Sequence, residues 1–247
     1  MTGSKILVLG ATGPAGICLL RELLHRSHDV VAYVRNPGKI PEDVSSNRHL
    51  TFQVIAGEMT DISSLSKAIS QSKAIISLLG PSTSNIRGTT DATQFHDYYV
   101  DAIFPLMREY SVQRIFAMGT LAISRPGDGF SIITWLMGFM IKLFAPILYR
   151  NILGIARAFE TEAAGLDWTV YRISALPGGH DAESWARERN DGDAYVGSAA
   201  VKGWRVVQKR AALARWLVDA VEDGATEWIG KMPAVSRLAG SGQRKSN

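Results

Sequence analysis

Three glycines near the N-terminus, Gly10, Gly13 and Gly16, are spaced as in a turn that binds phosphate groups. They follow an apolar run at residues 5–9 and precede residues 17–24, whose apolar side chains have helical spacing. Between a strand and a helix, such glycines allow a tight turn, close approach of a pyrophosphate and close helix–strand packing. The N-terminus of the helix adds free N–H groups and a positive dipole end. The residues predicted to bind a dinucleotide pyrophosphate are Gly10, Thr12, Gly13, Pro14, Ala15 and Gly16.

The end of the second predicted strand, at residues 30–34, distinguishes between two cofactors. A site for NAD has a carboxylate there, about 20 residues beyond the glycines, which binds the ribose 2′-hydroxyl. In this chain Asp29 stands before the strand and Arg35 follows it. A guanidinium at that position can bind a 2′-phosphate through two hydrogen bonds. We therefore predict that Arg35 selects NADP(H) over NAD, with an arginine on an ordinary surface loop as the alternative.

The third and fourth predicted strands end in further candidate cofactor-binding residues. Glu58 and Met59 follow the third strand, where a carboxylate and an apolar side chain would contact the adenine. The fourth strand ends at Leu79, Gly80 and Pro81, where a glycine would let the backbone approach the ribose. A plain turn is the alternative for this second set.

Apolar runs and helical patterns alternate along the chain. The predicted strands span residues 5–9, 30–34, 50–56, 74–79, 114–118, 168–172 and 227–230, and the predicted helices span 15–25, 62–70, 94–110, 152–164 and 209–223. Continuous apolar strands alternating with helices indicate a parallel sheet with helices on both faces. The predicted fold class is therefore α/β, a Rossmann-type doubly wound parallel sheet. A single domain is predicted over residues 1–236 and a disordered tail over 237–247.

The composition is that of a globular protein without a special partner. The 247 residues are 46% hydrophobic and 20% charged, which is enough for one large domain. The net charge of +4 comes without a basic stripe interleaved with aromatic residues, so nucleic-acid binding is not expected. A single cysteine, Cys18, excludes an internal disulfide, and the histidines form no metal-binding pattern. Because the first strand begins at residue 5, we expect no signal peptide, a cytoplasmic protein, and a monomer or homodimer.

Residues 130–149 form one unusually apolar segment. Its length is close to the roughly 20 residues that span a bilayer, but Lys142 and Pro146 argue against a transmembrane span. We expect a helical insertion over the substrate site. The substrate pocket would be apolar and formed by about residues 120–150 and 174–205. In that pocket Trp135 and Phe139 would stack on a flat substrate. A core helix, a dimer contact and a weak membrane-surface contact are the alternatives.

Several segments together resemble the atypical short-chain dehydrogenase/reductase superfamily, in particular its NmrA-like, NAD(P)H-binding branch. They are residues 10–16, 34–37, 57–61, 114–120, 165–172 and 209–214. The resemblance extends over residues 4–235 and implies a Rossmann fold that binds NAD(P)H. It does not identify the substrate, because one fold of this kind hosts many chemistries.

The usual catalytic motif of that superfamily is incomplete in this chain. The motif has a Ser or Thr after the fifth strand and then Tyr-x-x-x-Lys, in which the lysine lowers the pKa of the tyrosine. None of the seven tyrosines is followed by lysine four residues later. Thr120 matches the hydroxyl position, Tyr149 lies near the expected tyrosine, and His180 follows the sixth strand. These three are the candidate catalytic residues, and Ser174 is a further candidate for the cofactor site.

The sequence favours an NADP(H)-dependent oxidoreductase that acts on a hydrophobic, aromatic or polycyclic small molecule of the secondary-metabolite type. Because Tyr-x-x-x-Lys is missing, two other functions stay open. One is a non-redox isomerase or cyclase on the same scaffold. The other is a redox-sensing regulator that binds NADP without turning it over.

Overall fold

The fold is built on one eight-stranded sheet, seen in a computed structural model that describes residues 3–46, 52–81 and 91–243. The strands run in the order β3-β2-β1-β4-β5-β6-β8-β7. Their bounds are β1 Lys5–Leu9, β2 Val30–Val34, β3 Phe52–Ala56, β4 Ser72–Ser77, β5 Arg114–Thr120, β6 Asp167–Ile173, β7 Ala194–Gly197 and β8 Ala234–Arg237. All neighbouring pairs are parallel except β7 and β8. This order confirms the predicted doubly wound parallel sheet.

Helices flank both faces of the sheet because alternate residues of each buried strand point to opposite sides. Leu7 and Leu9 of β1 belong to a core on one face, and Ile6 and Val8 belong to a core on the other. The helices are α1 Pro14–His25, α2 Glu42–Ser45, α3 Ile62–Ile69, α4 Gln94–Asp97, α5 Phe104–Glu109, α6 Ile132–Phe144, α7 Pro146–Glu162, α8 Ala182–Glu188 and α9 Arg210–Glu222. Helices α3, α5 and α7 contribute to the first core, and α1 and α9 contribute to the second.

The helix predicted over residues 94–110 is divided in the structure. A π-helical stretch, Tyr98–Ile103, separates α4 from α5. Pro105 lies at the start of α5 and has no N–H to donate to the preceding turn. A wider π turn before the proline accommodates that missing bond.

The C-terminal part of the chain departs from the prediction in two places. The strand predicted at residues 227–230 is wrong, because Thr226–Trp228 form a 3-10 turn after Ala225, whose φ is +41°. The tail predicted from Arg237 begins too early, because Arg237 still belongs to β8. The amides of Leu238 and Ala239 also donate to the carbonyls of Asp193 and Gly203. These contacts keep the chain on the domain beyond residue 237.

Candidate functional site

The carboxyl ends of the parallel strands bring the candidate residues to one edge of the sheet. The sheet order changes direction between β1 and β4, where open α/β sheets bind ligands. Leu9 of β1 is level with Tyr33 of β2 and Ser77 of β4. The predicted residues that end strands or follow them within two residues at this edge are Gly10, Arg35, Glu58, Leu79, Thr120 and Ser174.

The glycine turn, residues 10–16, is packed tightly at its two ends and open in its middle. Gly10 has a φ of +77°, and a Cβ there would lie 3.0 Å from the carbonyl oxygen of Leu78. A Cβ on Gly16 would lie 2.4 Å from the carbonyl oxygen of Gly10. A Cβ on Gly13 would have one near neighbour, that same oxygen at 3.5 Å, which is ordinary contact. The space in front of Gly13 is therefore open to a ligand among the described residues.

The N-terminus of α1 presents backbone groups at this opening. Gly13 is the N-cap with extended backbone (φ −73°, ψ 160°), and no side chain caps the helix. Its first turn contains Pro14 and no acidic residue. The first N–H groups of a helix have no partner within the helix, and the dipole there favours an anion. The turn and helix thus have the features that a dinucleotide pyrophosphate requires.

The ends of β2 and β3 are tied together by a tyrosine. The hydroxyl of Tyr33 donates to the carbonyl oxygen of Glu58 at 2.6 Å. Burial, with the charges of Asp61 and Glu58 adding to it, raises the pKa of Tyr33 to about 12, so the hydroxyl stays a donor. A side chain on Gly57 would clash with this hydroxyl, since its Cβ would lie 2.3 Å away. This bond holds the loop with Glu58 next to the end of β2.

Arg35 lies at this junction with its guanidinium exposed. No ion pair or side-chain hydrogen bond occupies it within the described ranges. Glu58 is also exposed, whereas Met59 is half-buried and packs against the core. Asp61 accepts a hydrogen bond from the amide of Ser64 at 3.0 Å as the N-cap of α3, so it has a structural role.

The end of β4 forms the other wall of the opening. Leu79, Gly80 and Pro81 are half-buried. A Cβ on Gly80 would lie 3.1 Å from the terminal methyl of Met118. The backbone at Gly80 therefore lies close to the side chain of Met118 on β5. Residues 82–90, which follow Pro81, lie outside the described residues.

Thr120 ends β5 at the same edge. The strand register places Ala117 level with Ser77, so Thr120 lies three residues, about 10 Å, further along. The Thr120 hydroxyl is half-buried and accepts a hydrogen bond from the amide of Ala122 at 3.2 Å. Its own proton is therefore available for donation to a ligand.

Tyr149 lies in the first turn of α7 and is half-buried. Asn151, two residues later, is fully buried and fixes α7 to the segment before α4. Its side-chain amide donates to the carbonyl of Asp91 at 2.7 Å and accepts from the amide of Phe95 at 3.2 Å. No hydrogen bond joins Tyr149 to Thr120 among the residues described.

His180 is held against α1 through its backbone. Its carbonyl oxygen accepts a hydrogen bond from Arg21 of α1 at 2.6 Å, and its side chain is exposed. The preceding carbonyl, of Gly179, accepts a weak bond from the Cys18 thiol at 3.7 Å. The loop after β6 therefore lies against the second and third turns of α1, and no hydrogen bond within the described chain brings His180 to Thr120 or Tyr149. Ser174, at the start of that loop, is half-buried.

A buried ion pair that the sequence analysis did not single out joins β6 to the loop after β5. Arg172 makes two hydrogen bonds to Asp128, at 2.6 and 2.9 Å, with side chains 2% and 12% exposed. Burial alone would raise the pKa of Asp128. Hydrogen bonds from Arg172 and from the amides of Ala199 and Arg125 lower this pKa below its ordinary value. An arginine inside an otherwise apolar strand was the one sequence signal for this pair.

The apolar segment, residues 130–149, forms α6 and the start of α7 and leaves its largest side chains exposed. Trp135 and Phe139 stack on each other, with ring centroids 5.7 Å apart, and both are exposed. Not one residue of α6 is buried. The expectation that these rings stack on a substrate in an apolar pocket stays a prediction.

The described residues contain neither a single membrane-spanning helix nor a cluster of metal ligands. No single helix there has both the length and the apolarity to cross a bilayer, although the bent pair α6 and α7, at 117°, passes that test together. No group of three or more His, Cys, Asp or Glu side chains is placed to hold a metal ion in the described parts of the chain.

Known proteins match both the sequence and the fold. A short-chain dehydrogenase/reductase (wide type) from Veillonella parvula DSM 2008, solved in complex with NADP, has a TM-score of 0.71 and 15% identity, with 100% of each chain covered. An oxidoreductase from Lactococcus lactis has a TM-score of 0.65 and 16% identity, covering 97% of this chain and 92% of that one. An anaerobillin reductase from Escherichia coli O157:H7 has a TM-score of 0.62 and 17% identity, covering 98% and 100%.

These structures share the fold of this chain at low identity, whereas the sequence match identifies its family. The model of the NAD(P)H-binding family matches residues 10–224 and so covers the glycine turn, the strand ends and α9. With the sheet order, this match confirms the resemblance to the atypical short-chain dehydrogenase/reductase superfamily. The chain therefore belongs to the NAD(P)H-binding family.

Proposed function

We propose that this protein is an NADP(H)-dependent oxidoreductase that acts on a hydrophobic, aromatic or polycyclic small molecule. The observation that carries the choice of cofactor is Arg35, an exposed arginine at the end of β2 where an NAD site has a carboxylate. It has no ion-pair partner within the described ranges, so its guanidinium is available to a 2′-phosphate. A related fold has been solved in complex with NADP, which supports the same choice.

The residues of the glycine turn would hold the pyrophosphate, and Gly80 and Met59 would contact the rest of the nucleotide. When bound, the cofactor supplies a hydride to the substrate. Thr120 would donate its free hydroxyl proton in a hydrogen bond to a substrate oxygen at the end of β5. Tyr149 is a second hydroxyl for this role. Because no lysine follows it by one helical turn, solvent is the source of the transferred proton.

A hydrophobic substrate is favoured by the side chains that follow β5. No acidic residue occurs between Asp128 and Glu160, and this stretch includes Trp135, Phe139 and two flexible methionines. Apolar and aromatic surfaces of this kind bind flat, poorly polar molecules. The anaerobillin reductase of the same fold is consistent with a reductase function.

The cofactor is tested by titrating the protein with NADPH and NADH and measuring the Kd of each by fluorescence. We expect NADPH to bind more tightly, and Arg35→Glu to weaken NADPH about 10- to 100-fold while leaving NADH nearly unchanged. Arg187→Glu, on the exposed surface of α8, is the matched control and should change neither Kd. Equal binding of both nucleotides by the wild-type protein would contradict the assignment of Arg35.

The redox step is tested by following NADPH absorbance in the presence of quinone and flavin acceptors. Thr120→Val should lower kcat/KM on the order of 100-fold without changing the Kd of NADPH, since it removes one hydrogen-bond donor. NADPH binding without oxidation by any acceptor would point instead to the isomerase, cyclase or regulator. If product still forms when NADP(H) is left out of the assay, the protein is the isomerase or cyclase.

A further inference from the structure

Helix α6 carries the largest exposed apolar surface in the described part of the molecule. Ten of the fourteen large apolar side chains that are exposed there lie between residues 130 and 144. Phe130 is 79% exposed, Phe144 is 70% exposed and Trp135 is 58% exposed. Monomeric soluble proteins rarely expose a contiguous patch of this kind without a partner.

The helix has the reverse orientation of an ordinary surface helix. Its least exposed residues are Thr134, Gly138 and Ile141, of which Ile141 packs against the core. At 3.6 residues per turn, the exposed apolar side chains cover an arc of about 200° on the opposite side. A surface helix normally turns its apolar stripe inward and its polar residues outward. An outward apolar arc of this width fits a medium that surrounds the helix better than a single partner helix.

The charged residues that follow Asp128 along the chain are all positive up to Arg157. Residues 129–159 contain Lys142, Arg150 and Arg157 but no aspartate or glutamate. All three cations are exposed, and none has an ion pair with a described residue. Lys142 lies at the border of the apolar arc, where its long side chain can extend to a headgroup.

A second loop adds basic charge beside the start of this segment. The amide of Gly129 donates to the carbonyl of Ala199 at 2.8 Å, and a Cβ on Gly129 would lie 3.4 Å from the side chain of Val201. Val201 is 39% exposed, and Lys202 next to it is also exposed. The apolar arc thus has cations at its border and in the neighbouring loop.

We propose that α6 docks this protein on the surface of an anionic lipid bilayer, with its apolar arc in the boundary between headgroups and acyl chains. Apolar burial supplies attraction to any bilayer, and the cations add attraction to anionic lipids. With 13 residues, α6 is about 20 Å long, which is shorter than the hydrocarbon core. Helix α7 cannot extend it across the bilayer, because Leu148, Ile152 and Ile155 pack in the core of the domain. The proposal does not depend on the chemistry of the reaction, although it gives to lipid the same surface, with Trp135 and Phe139, that the proposed function offers to a hydrophobic substrate.

Flotation of the full chain with vesicles tests this proposal. We expect the protein to float with vesicles of phosphatidylcholine and phosphatidylserine, and more weakly with phosphatidylcholine alone. Added salt should reduce the difference between the two, because it screens the headgroup charge. Failure to float with either vesicle would overturn the proposal.

Variants of the arc identify the docking face. Leu136→Glu combined with Leu143→Glu should lower the bound fraction on both vesicles on the order of tenfold or more. Ile62→Glu, which changes a similarly exposed apolar residue on α3, is the control and should bind like the wild type. Unchanged NADPH binding would show that each variant is folded.

The variant Lys142→Glu and sedimentation of the wild type distinguish docking of α6 on a lipid surface from docking on a second copy of the chain. Lys142→Glu should weaken binding to the anionic vesicles several-fold and leave phosphatidylcholine binding nearly unchanged. The wild-type protein should sediment as the same species as the Leu136→Glu, Leu143→Glu variant in the absence of lipid. A wild-type dimer that the double variant abolishes, together with no flotation, would show that a second copy covers α6 and would overturn the proposal.

Discussion

The glycine turn and helix α6 have opposite relations to the protein around them. At the turn, a Cβ would lie 3.0 Å from neighbouring backbone on Gly10, whose φ is +77°, and 2.4 Å from it on Gly16, whereas a Cβ on Gly13 would make only an ordinary contact. On α6, a Cβ on Gly138 would have no neighbour within 4 Å among the described residues, and the large apolar side chains face outward. The first region is preorganised by the domain for a small anion. The second contacts the domain along one narrow side, at Thr134, Gly138 and Ile141, and exposes the rest of its surface.

The largest predicted effect concerns the pair of Asp128 and Arg172, in which Asp128 belongs to the loop that leads to α6. Asp128→Asn should lower the free energy of unfolding by about 3–5 kcal/mol, because it leaves the buried guanidinium without its countercharge. Urea unfolding at neutral pH measures this loss. Arg187→Gln, which removes exposed ion pairs on α8, should cost less than about 1 kcal/mol. Equal losses in the two variants would show that the buried pair does not support the loop.

The same pair predicts a pH dependence. The folded pKa of Asp128 is lowered, since the bonds from Arg172 and two amides outweigh the effect of burial. The stability from this carboxylate is therefore complete above its unfolded pKa, about 4, and is lost as the pH falls through the lower folded value. The wild type should lose more stability than Asp128→Asn between neutral pH and acid. Parallel pH profiles of the two proteins would contradict the shift.

Gly16→Ala tests the closed end of the glycine turn. Its Cβ would lie 2.4 Å from the carbonyl oxygen of Gly10, so either α1 or the turn must move. We expect a loss of about 1–3 kcal/mol in thermal or urea unfolding, despite the higher helix propensity of alanine. The loss of NADPH binding should accompany it. Wild-type stability and binding would show that the turn is looser than this contact indicates.

Gly13→Ala tests the open side of the same turn. The new methyl group clears the protein at 3.5 Å but occupies space that the ligand needs. The unfolding free energy should change by less than about 0.5 kcal/mol, whereas the Kd of NADPH should rise on the order of tenfold. Calorimetric titration measures the Kd. A stability loss as large as that of Gly16→Ala would remove the distinction between the two ends.

The smallest effect is predicted for Gly138→Ala on α6. The added methyl meets no atom of the described residues and restricts the unfolded chain, so it should stabilise the protein by about 0.5–1 kcal/mol. Thermal unfolding without lipid is the measurement. A destabilised variant would show that this side of α6 is packed against something in the free protein.

Much of the cofactor edge was predictable because its determinants are local. The glycine turn needs only residues 10–16 between a strand and a helix, and Arg35 follows its strand directly. Parallel strands then bring such positions to one edge by topology. The structure confirms the predicted fold, and the assignment of the cofactor and catalytic residues stays a prediction.

Other features were not predictable because they depend on contacts between distant segments. The position of His180 is set by Arg21, 159 residues earlier, and the pair of Asp128 with Arg172 spans 44 residues. Residues 227–230 are apolar enough for a strand, but the left-handed residue Ala225 starts a 3-10 turn instead. Short apolar runs do not distinguish a strand from a turn packed against the core.

The amino-acid sequence by itself determined the doubly wound sheet and the phosphate-binding turn, because strand and helix periodicity and glycine spacing act over a few residues. It also determined that residues 130–149 are apolar. Only the tertiary structure decided which way that apolar surface faces, because Ile141 and the buried first turns of α7 fix the orientation of α6. The tertiary structure likewise decided that Arg172 is neutralised by Asp128, since a buried charge requires a partner that folding alone brings near.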